Sequence, residues 1–195
     1  MYPYFRLAKE FIRHRNAPAL GPFDEHRATH ICWPWDIDPF LELNNGRTLT
    51  LYDLGRFLLF RRIGTIALMK ERRWTGTIAG ASVRYRRRVR MFDTYELRSK
   101  MIGWDDRFFY IEQGMWRKGE CTSHGLLRMA VTGGTGIVPP ADFAAAFGAD
   151  LESPPLPSWV TAWIAAEAER PWPPMHYGEV PSSAMAPVEE RVRGG

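Results

Sequence analysis

Between Gly46 and Met69 the apolar residues Leu49, Leu51, Leu54, Phe57, Leu58, Phe60, Ile63, Ile66, Ala67 and Leu68 cover most of a helix's circumference. A surface helix carries a single apolar stripe; one that is apolar nearly all round has to be enclosed by other elements. A chain of 195 residues with 45% hydrophobic composition can build that enclosure as one domain with extensions. Asn44 or Asn45 makes a good N-cap for the helix, and Gly64 is placed to weaken or bend its second half.

The enclosing wall follows at once. In "TIAGASVRYRRRVRM" Ala81, Val83, Tyr85, Arg87, Val89 and Met91 alternate with Ser82, Arg84, Arg86, Arg88 and Arg90. This period of two predicts a half-buried strand with one basic face. "FDTYELRSKMIGW", "RFFYIEQGMWRKG" and "CTSHGLLRMAVTG" read as three more strands, with short hairpin-like turns at Phe92–Asp93, Asp105–Asp106 and Lys118–Gly119. Residues 25–35, ahead of the helix, read as a first strand. Residues 2–13 form a short amphipathic helix pattern, which suits the domain surface, a partner or a membrane face, with packing on the domain surface favoured, and 139–148 and 158–169 read as small helices. The expected organisation is an N-terminal helix and loop (1–24), a central domain (25–138), a C-terminal helical extension (139–170) and a flexible tail (171–195).

A long helix followed by an antiparallel meander has a natural solution, in which the sheet curls round the helix and buries it on its concave side. This is the hot-dog fold, an α+β architecture with about five antiparallel strands. "DIDPFLELNNGRTLTLYDLGR" resembles the signature of the hydroxybenzoyl-CoA thioesterase branch of that superfamily: Asp-x-Asp, a short loop, His-(Val/Met)-Asn-Asn, then the central helix. "VRYRRRVRMFDTYELRSKMIGWDDRFFYIEQ" resembles the family's basic strand, turn and following strands. The resemblance covers about residues 25–133. It departs from the family where Glu42 occupies the position commonly held by His.

The resemblance implies cleavage of an acyl-CoA or acyl-carrier thioester, with coenzyme A as part of the substrate and no separate cofactor. A thioester leaves as a thiolate whose conjugate acid has a pKa of about 8.5, so its departure needs little protonation. What remains to be supplied is a nucleophile or base, and a donor for the developing oxyanion. Asp38 is the position of the family's catalytic carboxylate, and Glu42 is a second candidate base. Asp36 belongs to the same motif and is expected to orient the loop. The first helical turn, from Gly46 to Thr48, offers free N–H groups and the positive end of the helix dipole. Gly46 lets a carbonyl approach closely. Asn44 and Asn45 are placed to cap the helix or to hold the attacking water. Acids and Asn ahead of a helix also serve simply as caps and dipole partners.

Inside the helix, Asp53 and Arg56 are spaced for an i,i+3 pair, and Asp53 is expected to be structural, with a minor claim to catalysis. Arg84, Arg86 and Arg88, with Arg47 near the helix start, are candidates for the phosphates of coenzyme A, since guanidinium binds two oxygens at once. A solvated strand face that discourages edge pairing accounts for the same arginines.

The net charge of +4 permits an anionic partner without demanding one. A nucleic-acid reading rests on the Arg strand alone and is not adopted. Cys32 and Cys121 fit no zinc or redox spacing and read as free thiols, with a disulfide between them left open. No metal site is expected: His26 and His30 share a strand face, but no third ligand is evident. "GGTG" at 133–136 is a turn. No apolar run spans a bilayer, because Arg61 and Arg62 interrupt the best candidate, and no signal peptide is visible, so a cytoplasmic location is expected. The resemblance further implies a homodimer or higher homo-oligomer with sites at the subunit interface. The rival to catalysis is a non-catalytic hot-dog protein that binds an acyl ligand or acts as a scaffold.

Overall fold

The computed structural model describes residues 2–148 and 151–171, so the expected tail lies almost wholly outside the described residues. The chain divides into two compact units, Met1–Leu156 and Pro157–Gly195. In the second, the described regular element is helix α5 (Ser158–Glu169).

The first unit runs α1 (Tyr4–Arg13), β1 (His26–Ile31), a 3-10 turn at Pro34–Asp36, α2 (Asn45–Ile63), α3 (Thr65–Arg72), β2 (Thr75–Tyr85), β3 (Thr94–Trp104), β4 (Phe109–Arg117), β5 (Glu120–Gly133), β6 (Gly136–Val138) and α4 (Pro140–Ala146). The strands form one antiparallel sheet in the order β1-β3-β4-β5-β2, with β6 added to β5. The sheet curls round α2 in the hot-dog arrangement.

α2 starts where the sequence requires. Asn44 is extended, and its side chain accepts the Arg47 amide at 3.0 Å. Leu51, Tyr52, Leu54 and Leu59 are buried against the concave side of the sheet, in two clusters with Leu97, Met115, Ile111 and Val131, and Leu58 is buried as well. Gly55 permits the close approach: a Cβ there would stand 2.5 Å from Ser99 Oγ and 2.7 Å from Leu97 Cδ2. A buried polar network crosses the same interface. Arg56 donates to Gln113 at 2.9 Å, and Gln113 donates to Ser99 and to the Tyr52 carbonyl. Burial lowers the Arg56 pKa, and the Asp53 carboxylate paired with it acts in the opposite direction.

Four expectations change. The four strands after the helix do not run as one meander: β2 pairs with β5 and β3 with β1, so the turn at Phe92–Asp93 joins no hairpin. The helix does not run unbroken to Met69: Gly64, at φ +95°, ends α2 in the left-handed conformation, its N–H meeting the Phe60 and Arg61 carbonyls, and α3 starts afresh. Nor is α2 buried all round, since Leu49 and Phe57 stay partly in solvent. The basic strand, read to Met91, stops at Tyr85. The Arg86 and Arg87 amides both close on the Thr122 carbonyl, after which the Val89 carbonyl accepts the Leu43 amide at 2.8 Å. The period-two pattern is therefore honoured at Val89, which is buried, but on a segment pulled off the sheet toward the loop before α2. Arg84, Arg86 and Arg88 consequently do not form one strand face. β2 is an edge strand, and every residue of it is exposed or half-buried.

α4 contributes Phe143 to the core, where its ring lies 5.3 Å from Phe109 and 5.6 Å from Trp74. Both cysteines are free; Cys32 is buried and burial raises its thiol to about 11.

Candidate active site

The loop between β1 and α2 is organised by its two aspartates in different ways. Asp36 is buried. Its carboxylate accepts Arg6 at 2.5 Å, Arg47 at 2.7 Å and the Trp33 amide at 2.9 Å, and its backbone carbonyl accepts the Asn44 amide. It clamps α1, the 3-10 turn and the first turn of α2 together, the orienting role expected of it. Asp38 is half-buried. Its Oδ1 accepts the Phe40 amide at 2.9 Å and the Glu42 amide at 3.4 Å, while Oδ2 has no partner among the described residues. The intervening Leu41 is held at φ +60°, a costly conformation for a residue with a Cβ.

The loop leads directly into the open N-terminus of α2. Asn44 satisfies the Arg47 amide through its side chain and the Thr48 amide through its carbonyl. Of the Gly46 to Thr48 amides expected to be free, two are therefore taken up by Asn44; the amides without an acceptor among the described residues are those of Asn45 and Gly46.

Beside this turn lies a cleft of about 210 Å³, lined on one side by Glu42, Asn45 and Thr48 and on the other by Tyr85, Arg86 to Val89, Thr122 and Ser123. The displaced Arg segment makes one wall. Arg88 pairs with Glu42 at 3.0 Å, and the Tyr85 hydroxyl donates to the Asn45 carbonyl at 3.1 Å. Beneath it, the Tyr52 hydroxyl meets Ser123 Oγ at 2.9 Å. Glu42, Asn45, Arg86 and Arg88 are thus brought together. Asp38 and Gly46 are not among the cleft-lining residues; they stand on the loop and first turn that lead into it. Arg47 is engaged by Asp36, and Arg84 remains on β2 opposite His124. Tyr85, Thr122 and Ser123 were not singled out from sequence, and Thr48 was named there only as the end of the first turn. Tyr85 read there only as an apolar strand position, and nothing local marks Thr122 or Ser123.

His26 and His30 are both buried on β1. Burial, reinforced by His14 and Arg62, pushes His26 down to about 3; burial, reinforced by Arg6, Lys9 and Arg13, pushes His30 down to about 4. Among the described residues no group of three or more His, Cys, Asp or Glu is arranged to hold a metal ion, and no helix is long and apolar enough to cross a membrane.

Residues 32–164 match the family model described as the thioesterase-like superfamily. The chain belongs to that superfamily. The matched span runs from the end of β1 into α5 and contains the whole of the loop, α2 and the cleft. Within the family's range of relatives, the chain is similar to Protein THEM6 of Xenopus laevis, 34% identical over 164 residues, which is 83% of this chain and 78% of the frog protein. Protein THEM6 of Drosophila melanogaster is 36% identical over 84 residues, 43% of this chain and 44% of that one. Among solved structures, a DHNA-CoA thioesterase from Staphylococcus aureus superposes with a TM-score of 0.56 at 11% identity, over 74% of this chain and 91% of that one. A gentisyl-coenzyme A thioesterase gives 0.54 at 14% identity, over 63% and 99%. At these identities the structural likeness is one of fold.

Proposed function

We propose that the protein hydrolyses acyl thioesters of coenzyme A or of an acyl carrier. The observation that carries the reading is the state of Asp38. One carboxylate oxygen is fixed by two loop amides and the other is unpartnered, immediately ahead of a helix N-terminus with open amides. In this reading Asp38 Oδ2 takes a proton from the attacking water as its oxygen adds to the thioester carbon. The oxyanion that forms is met by the Asn45 and Gly46 N–H groups at the positive end of α2. Collapse then breaks the C–S bond, and the departing thiolate takes up a proton.

Glu42, held by Arg88, is the carboxylate that lines the cleft, and it orients the loop rather than acting as base. Arg86, whose side chain has no ion-pair partner among the described residues, and Arg88 are positioned to meet substrate phosphates, with Arg84 and Arg47 more remote. The exposed edge of β2 supports pairing with a second copy along that strand, which would bring a partner's residues beside the Arg wall of the cleft.

Thiol release from a panel of short, long and aromatic acyl-CoAs tests this reading. Asp38→Asn is expected to lower kcat by roughly 10²–10⁴-fold, the usual yield of a positioned base. Glu42→Gln should stay within about tenfold of wild type, since it perturbs orientation alone. Full turnover in a folded Asp38→Asn protein would move the base to Glu42 or Asp53. No turnover by the folded wild-type protein on any substrate would favour the non-catalytic acyl-ligand role.

A further inference from the structure

α1 sits on the domain with its polarity reversed. Leu7 and Phe11 face inward, but so do Arg6, which bonds Asp36, and Glu10, which is buried. At 3.6 residues per turn, Tyr4, Ala8, Ile12 and Phe5 fall within about 100° of the opposite side. That side stands in solvent, and Phe5 is 95% exposed. Lys9 and Arg13 follow along one edge of this stripe. Next to the helix, Trp33 and Trp35 stack at 5.4 Å, and Phe92 meets Trp33 edge-on at 6.3 Å. Trp35 is 68% and Phe92 60% exposed.

Between helix and tryptophans lies a groove of about 880 Å³ lined by Tyr4, Phe5, Ile31, Trp33 and Trp35 among others; its charged lining is Arg6, Lys9, Arg13 and Arg47, with no carboxylate. Arg6 and Arg47 are held from below by Asp36, and the Lys9 ammonium lies 3.8 Å from the buried Glu10. Arg13 has no ion-pair partner among the described residues. A contiguous aromatic face of this kind, flanked by cations, has no role in the fold, and apolar patches so exposed mark an interaction site.

We propose that this face docks on the surface of an anionic lipid bilayer. α1 lies along the interface, with Phe5 and Trp35 entering the boundary between headgroups and acyl chains, and Lys9 and Arg13 meeting lipid phosphates. The pairing of aromatics with Lys and Arg is what an interfacial helix requires. A second copy is a poor occupant, because a two-fold axis through the face would set Lys9 and Arg13 against their own images.

Co-sedimentation of the full chain with phosphatidylcholine vesicles, alone or with about 30 mol % phosphatidylserine, tests the proposal at about 0.1 M and about 1 M salt, where screening lengths are about 10 Å and 3 Å. The expected result is binding to the anionic vesicles at low salt, with loss of binding at high salt or on neutral vesicles. Phe5→Ala/Trp35→Ala and Arg13→Glu should each weaken partitioning by about tenfold or more without lowering thermal stability, since these side chains are exposed and Lys9, which neighbours the buried Glu10, is left in place. Absence of vesicle binding, or variants that bind like wild type, would overturn it. So would conversion of an oligomer to a smaller species by Phe5→Ala/Trp35→Ala in sedimentation velocity, which would make the face a contact between copies.

Discussion

Replacing Asp36 with Asn should unfold the loop's anchor at a cost that its partners define. The Asp36 side chain is fully buried, and the Arg6 and Arg47 side chains that hold it are 12% and 15% exposed. Asn keeps the shape and one acceptor for the Trp33 amide, but it leaves two largely desolvated cations without their shared anion. Removing one member of a buried ion pair costs about 3–5 kcal/mol. The slight exposure of both guanidiniums and the acceptor that Asn retains place the expectation near the lower end, about 3 kcal/mol. In a chain of this size each kcal/mol moves Tm by about 2–4 °C, so a fall of about 6–12 °C is expected. Arg6→Gln, which leaves Asp36 its bond to Arg47, should cost about 1 kcal/mol. Urea and thermal unfolding followed by circular dichroism would measure both. An Asp36→Asn protein within about 1 kcal/mol of wild type, or an Arg6→Gln protein destabilised as much, would refute the idea that one carboxylate joins the three segments.

Three further outcomes follow from the same geometry. His26 and His30 stay neutral in the fold down to about 3 and about 4, whereas unfolded imidazoles titrate near about 6.5. The unfolded state therefore binds protons that the native state does not, so stability should be flat above about pH 7 and fall as pH drops toward 4, by up to about 1.4 kcal/mol per unit per histidine; a denaturant midpoint unchanged from pH 7 to 5 would contradict this. Gly55→Ala should destabilise by about 1–3 kcal/mol in urea unfolding despite its better helix propensity, because its Cβ would overlap Leu97 and Ser99; a stabilised variant would show that α2 can shift freely off the sheet. Leu41→Gly should raise stability by about 0.5–1 kcal/mol by relieving the left-handed leucine, measured by thermal melts.

Local chemistry made much of this protein legible from its residues. The Asn44 cap, the apolar helix, the turns at Asp105–Asp106 and Lys118–Gly119, and the meander of β3, β4 and β5 all depend on groups a few residues apart. Cap hydrogen bonds and side-chain periods are written at that range. The resemblance at "DIDPFLELNNGR" then led to the superfamily that the family match shows. Gly64 was visible as a weak point, and its left-handed φ turned a bend into a helix end.

Tertiary structure decided whatever depended on residues far apart in the chain. The run from Arg84 to Arg90 alternates as a strand should, yet Leu43 captures the Val89 carbonyl and draws the run across to Glu42. No local pattern distinguishes a backbone group that will bond to β5 from one that will bond to a loop some 45 residues earlier. The amphipathic period of α1 likewise shows that it has two faces, but not which one the domain takes. That choice was made by Asp36, whose buried charge needs Arg6 more than the core needs Phe5. Sequence alone thus determined the order of the main helices and strands and the family to which they belong, while their ends at Gly64 and Tyr85 were set by the fold. The fold decided which charges meet, because a charge taken out of water must find its counter-ion wherever the chain brings one.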